Sequence, residues 1–382
     1  MRNLLILLTC ASLAAPVSAQ EAPPGGVDLS TFDRVWEIID KKHFDPDHNG
    51  VDWDSARLAF RPRVQVAMNR VAAREIVTEM LALLGQSHFL LIAQETLGKG
   101  DESSTGRPTG TVDFDIRVRG EAAWVSLVER GSPAYAAGVR RGWSLIAIDG
   151  EKVPDLLAAL PKEATLRPAT ANRRGLILSI DGPLGTSARF TFKTGDGGVL
   201  APIELSRAER DAIPFDIQRL PRFYLRLRAE RHEREHQTIG SLHLSNRFGG
   251  VEGQVHAALD AMADCDGVES DLRGNTGNTG GDGSDGLMAC RVAGHFFEQR
   301  TALAARSGKF ELAIRPRGIP LHCPLLILTD ETTGSASEVF SGGMQALGRA
   351  RVIGETSAGA ALPSTLTKLP NGDFPCTPSG TS

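Results

Sequence analysis

The residues best suited to covalent chemistry in this chain are Ser335, in the run Gly334-Ser335-Ala336-Ser337-Glu338, and the pair Ser87-His88 far upstream. A serine hydroxyl is a weak nucleophile at neutral pH until a base takes its proton, and histidine titrates in the right range to do so. Position decides whether Ser335 qualifies. Leu325, Leu326, Ile327 and Leu328 form an unbroken apolar run, short enough for a buried strand of a parallel sheet. Asp330, Glu331, Thr332 and Thr333 close it as a loop, and Gly334 permits a sharp turn. Val339, Phe340, Gly343, Met344 and Leu347 then recur at helical spacing, Gly348 stops the helix, and Arg351, Val352 and Ile353 start another strand. Ser335 is therefore expected where a buried strand turns into a helix N-terminus, with its hydroxyl exposed beside unpaired backbone N–H groups. Serine is also a favoured N-cap, so Ser335 or Ser337 reads equally as a plain cap.

His88 follows an expected helix over 72–84, in which Ile76, Met80, Leu83 and Leu84 are apolar and Gly85 marks the end. It precedes the apolar strand Phe89-Leu90-Leu91-Ile92, where a single histidine is ordinarily a hydrogen-bonded core residue. A further expected strand, 268–272, enters the glycine-rich run Asp271-Leu272-Arg273-Gly274-Asn275-Thr276-Gly277-Asn278-Thr279-Gly280-Gly281. Such a loop can cradle a phosphate, but no Gly-Lys-Ser/Thr follows and no Gly-x-Gly-x-x-Gly opens a helix, so nucleotide binding is not expected. His232-Glu233-Arg234-Glu235-His236 fits the zinc-peptidase pattern, yet its flanks are charged and Thr238-Ile239-Gly240 starts a strand. Without a partly buried helix the two histidines have no reason to face one metal.

Taken together, the Gly-Ser-Ala-Ser-Glu run, the helix ending in Gly348-Arg349-Ala350 and the stretch Val352-Ile353-Gly354-Glu355-Thr356 resemble the tail-specific (C-terminal processing) and tricorn-core serine peptidases. The resemblance implies Ser335 as nucleophile, and the Leu84-Gly85-Gln86-Ser87-His88 ending implies His88 as base with Ser87 orienting it, as in the tricorn branch. It implies an oxyanion pocket from the Ala336 N–H and a glycine of the loop, Gly277 or Gly280, and requires no cofactor or metal. The lysine of the Ser-Lys branch is replaced by Ala360, which cannot take a proton. The tricorn branch adds a glutamate in a final sheet segment. Here Pro375 to Ser382 is short and polar and supplies none, so a truncated core is expected.

The chain of 382 residues is long enough for several domains. Its 41% hydrophobic and 23% charged residues are ordinary for a globular protein, and a formal net charge of −4 argues against nucleic acid as the main partner. Met1-Arg2-Asn3, the apolar run Leu4 to Leu8 and Val17-Ser18-Ala19 read as a signal peptide over 1–19, which predicts an exported, periplasmic or secreted protein. No later segment has the roughly 20 apolar residues of a membrane span. Setting Cys10 aside leaves Cys265, Cys290, Cys323 and Cys376, whose spacing carries no metal signature and does not choose a disulfide pairing.

A helical N-terminal domain is expected over 28–98, with Phe32, Val35, Trp36 and Ile39 on one face and a turn-rich connection from Phe44 to Trp53. Residues 105–193 look like a PDZ domain: Ser132-Pro133-Ala134 opens a short helix, Ala137-Gly138 ends it, and Leu145 to Ile148 lead to the Asp149-Gly150 turn. Leu156 to Leu160 should begin its long helix, and Leu176 to Phe192 its closing strands or a bridge. PDZ domains bind extended peptides at a sheet edge. An α/β core fills 235–382. The whole is a multidomain α+β chain with a helical layer, a PDZ β-barrel-like unit and a parallel-rich, ClpP/crotonase-like core. The expected activity is peptide-bond hydrolysis on peptide or protein substrates. The competing expectation is a non-catalytic peptide-binding PDZ protein on a degenerate scaffold.

Overall fold

The computed structural model describes residues 29–94, 110–160, 168–215, 223–245, 251–277, 284–306, 310–362 and 364–378. The expected signal peptide over 1–19, the expected 99–109 linker and Gly280 lie outside them. The N-terminal layer packs helices Leu29–Lys42, Trp53–Gln65 and Arg70–Ala82. The first buries Phe32, Val35, Ile38 and Ile39, the stripe its apolar spacing predicts. The second extends beyond the connection expected up to Trp53. Its apolar pattern is thin, and its start is set instead by Asp52, which accepts the Ser55 N–H at 2.9 Å. Trp36 and Trp53 lock the first two helices by each donating its indole N–H to the other's carbonyl, at 2.9 and 3.2 Å.

The middle unit is a six-stranded antiparallel sheet in which Phe114–Arg119, Ala122–Val128, Ser144–Ile148, Ser187–Lys193 and Ile203–Ser206 lie side by side. Ser132 caps the short helix Pro133–Ala136 through the Tyr135 N–H. Asp149 (φ 50°) and Gly150 (φ 89°) make the tight turn. Two expectations are corrected. The helix Val153–Ala159 ends at Leu160, which is extended, and the longer helix is Pro168–Ile180. Leu176 to Ile180 is therefore helical, burying Leu176 and Ile180 against the sheet, and of that stretch only Ser187–Lys193 is a strand. The sheet also continues past Lys193 to Ser206, and Ala208–Glu209 returns to pair with Gly110–Thr111.

The core is a five-stranded sheet in the order Leu227–Arg234, Gln237–Leu244, Gly267–Asp271, Leu325–Thr329, Ala350–Gly354. The first pair is a hairpin and the remaining pairs are parallel. The sheet thus begins before Ile239, because the charged residues from 227 onward form its outer strand. His232 lies on that strand and His236 beyond a turn at Glu235 (φ 55°), so they share no helix face. The helices Glu252–Asp260, Ser284–Ala293 and Ala336–Ala346 bury Val255, Leu259, Met288, Phe340 and Met344 in this core. Cys265, Cys290, Cys323 and Cys376 are free thiols. No helix of the described residues is long and apolar enough to cross a membrane.

One buried polar chain in the core makes stability sensitive to acid. His256 Nδ1 lies 2.7 Å from His295 Nε2, and both rings are buried. Burial, together with the His256 charge, pulls the His295 pKa down to about 4, against the opposing pull of Asp260. An unfolded histidine binds its proton near pH 6.5, so in this window the unfolded state holds more protons and stability falls as pH falls. His295→Gln should flatten the acid decline between pH 6.5 and 4, recovering up to about 3 kcal/mol. Urea midpoints across that range check this; an unchanged slope refutes it.

Candidate active site

Strand Leu325–Thr329 sits between two parallel neighbours, and its C-terminal end opens into Asp330 to Gly334, all buried. Asp330 organises the loop. Its Oδ1 accepts the Thr332 and Thr333 N–H groups at 3.0 and 3.1 Å, and its Oδ2 accepts Gly274 N–H at 3.0 Å and the Arg117 guanidinium at 2.9 Å. One carboxylate therefore ties this loop to the glycine-rich loop and to the middle unit. Thr333 Oγ1 donates to the Leu272 carbonyl, and Gly334 N–H to that of Asn275.

Ser335 follows at φ 52°, ψ −123°, and the helix begins at Ala336. An ordinary N-cap occupies the β region, so this is not a plain cap; a non-glycine residue here costs of order 1–3 kcal/mol and persists only where its surroundings hold it. Its half-buried side chain faces an unusually tight neighbour. A Cβ on Gly277 would fall on the Gly334 carbonyl and within 2.5 Å of Ser335 Cβ, so only glycine fits there. The Ala336 N–H, as the first of its helix, has no intrahelical acceptor, although Ala336 is buried. By contrast the Gly277 N–H donates to Asn275 Oδ1 at 3.0 Å and is already used.

His88 is half-buried, with φ 69°, just ahead of the strand Leu90–Ile92. Its Nδ1 lies 3.1 Å from Ser87 Oγ. Burial lowers its pKa, while the charge of Glu338 pulls the other way. Glu338 also accepts the Ser335 N–H at 3.0 Å, so one carboxylate joins the histidine's surroundings to the serine turn. No hydrogen bond joins His88 to Ser335 directly. Strand Leu90–Ile92, which follows His88, pairs antiparallel with Phe374–Pro378. Asp330, Asn275 and Glu338 were not singled out from sequence as site residues. Asp330 had a signal, an Asp two and three residues ahead of hydroxyl residues whose N–H groups it could cap.

A strained serine between a buried parallel strand and a helix start is an arrangement used by serine hydrolases. The comparisons narrow the class. Residues 238–378 match peptidase family S41, and residues 29–82 match the tricorn protease C1 domain. A carboxyl-terminal-processing protease of Picosynechococcus sp. is 26% identical over 347 residues, 89% of this chain and 75% of that protein. Tricorn protease homolog 1 of Streptomyces coelicolor is 22% identical over 362 residues, 90% of this chain but 30% of that protein. The solved photosystem II D1 C-terminal processing protease aligns with a TM-score of 0.54 at 19% identity, covering 91% of this chain and 86% of its own. The chain belongs to peptidase family S41, the tail-specific and tricorn-core group, and is a serine-type peptidase.

Proposed function

We propose that this protein is an exported endopeptidase that cleaves protein or peptide substrates through Ser335 and His88. Ser335 Oγ attacks the scissile carbonyl, His88 takes its proton through Nε2, and the same proton passes to the leaving amine. Ser87, on Nδ1, fixes the ring. Ala336 N–H meets the developing oxyanion, and Gly277 would join it only by releasing Asn275. The Ser335–His88 bond closes when substrate fills the site, as catalytic bonds often tighten only in the complex. The unit over 110–209 acts as a PDZ-like module that offers a sheet edge to an extended peptide. The observation that carries this reading is the strained Ser335 beside the Ala336 N–H, which as the first of its helix has no intrahelical acceptor.

Labelling of the full chain with a fluorophosphonate probe tests it. Modification is expected at Ser335 and is expected to disappear in His88→Ala. Labelling at another serine, or undiminished labelling in that variant, overturns the assignment.

A further inference from the structure

The Glu338 carboxylate does more than cap a helix. An ordinary capping box needs one bond from the N3 side chain back to the N-cap N–H. Glu338 makes that bond and others besides. Its Oε2 accepts Ser335 N–H at 3.0 Å and Ala360 N–H at 2.7 Å; its Oε1 accepts Ser357 Oγ–H and Gly359 N–H, both at 2.7 Å. Each oxygen thus serves two donors, which fills its acceptor capacity. The Ser335 N–H is shared with the Ala360 carbonyl at 3.0 Å, so the serine turn and the 357–360 turn are stitched together through this one side chain. Ala360 contributes only backbone, and Glu338 supplies the charge between the two turns.

The same charge raises the His88 pKa against the lowering that burial causes. Ser87 Oγ stands on the imidazole Nδ1, and Glu338 is the charged group that acts on the ring among the described residues. His43, stacked on the neighbouring Phe89, is turned to the Asp45 carbonyl and to Gln86. We propose that Glu338 is a positioning residue that locks the serine turn to the 357–360 turn and so holds Ser335 in its strained conformation. Glu338 itself neither takes nor gives a proton. The proposal rests on the Ser335–His88 reading.

The test compares the full-length wild type with Glu338→Gln, Glu338→Asp and Ser357→Ala, measuring hydrolysis and probe labelling from pH 5 to 9. Glutamine keeps the shape but turns an acceptor oxygen into a donor that faces N–H groups. A loss of about 10–100-fold in kcat and in labelling rate is expected, with KM within about 3-fold, as for small misplacements of a reacting group. The acid limb of the rate profile should also move to lower pH, because the negative charge that favours protonated His88 is gone. Glu338→Asp should restore the limb while remaining slower than wild type. A Glu338→Gln variant with wild-type rate overturns the proposal. Should that variant not fold, Ser357→Ala decides the positioning role, since about a 3-fold or greater kcat loss is expected from removing one of the bonded donors. Wild-type labelling that does not depend on His88 would instead bring down the underlying reading, whatever Glu338 does.

Discussion

Ser335→Ala is expected to lower kcat by about 10⁴–10⁶-fold, the range seen when the nucleophile of an acyl-transfer site is removed. The fold should survive. The substitution keeps the Cβ, and the loop that strains this position is held from outside, by Asp330 on the Thr332 and Thr333 N–H groups and by Asn275 on Gly334. Substrate binding elsewhere on the chain should be retained, so KM should change little. Ser335→Gly adds a sharper control. Glycine accepts a positive φ without the cost that serine bears at 52°, so this variant should be inactive yet more stable by about 1 kcal/mol. Hydrolysis of a peptide substrate beside a urea melt reads both quantities. An active Ser335→Ala enzyme would dispose of the nucleophile, and a less stable Ser335→Gly would argue that the turn is relaxed.

The largest loss of stability is expected from Asp373→Ala. The Asp373 side chain is fully buried and that of Arg74 is 16% exposed, and the two make paired bonds of 2.7 and 2.8 Å. Burial alone would push the Asp373 carboxyl up; the Arg74 bonds, the Gln94 N–H and the Asn371 amide outweigh it and hold the carboxyl below its ordinary range. Removing the acid takes from the poorly solvated Arg74 guanidinium its two bonds to a buried carboxylate. Breaking a buried pair in this way costs about 3–5 kcal/mol. The contact also fastens strand Phe374–Pro378 to Leu90–Ile92 and places Leu369 in the helical core, so the surroundings of His88 should loosen too. A drop in urea midpoint together with slower labelling of Ser335 is expected. Replacing both partners by apolar residues should recover most of the stability, because no charge is then stranded. A single-variant loss below about 1 kcal/mol, the value of an exposed pair, would contradict this account.

The local parts of the molecule were legible in the chain itself. The apolar run at 325–328, the helical spacing from Val339 to Met344 and the stop at Gly348 predict a strand, turn and helix, and the structure has Leu325–Thr329 and Ala336–Ala346 there. The same holds for the cap at Ser132 and the turn at Asp149-Gly150. Each of these depends on residues within a turn or two of one another, so its signal survives in a linear reading. Helix Trp53–Gln65 did not, because it buries only Trp53, Ala56 and Val64 and the rest of its surface carries no periodic stripe. The helix Pro168–Ile180 was mistaken in part for strand, since Leu176 to Ile180 alone is a short apolar run that either element accepts.

The amino-acid sequence by itself thus determined where a serine would stand between a strand and a helix, and that the family motifs surround it. The tertiary structure alone decided what holds that serine. Asp330 reaches across to Arg117 and Gly274, Glu338 to the 357–360 turn, and Phe374–Pro378 to the strand after His88. These partners are distant in the chain, and no local spacing or propensity records a contact that exists only once the sheet and the helical layer have closed around it.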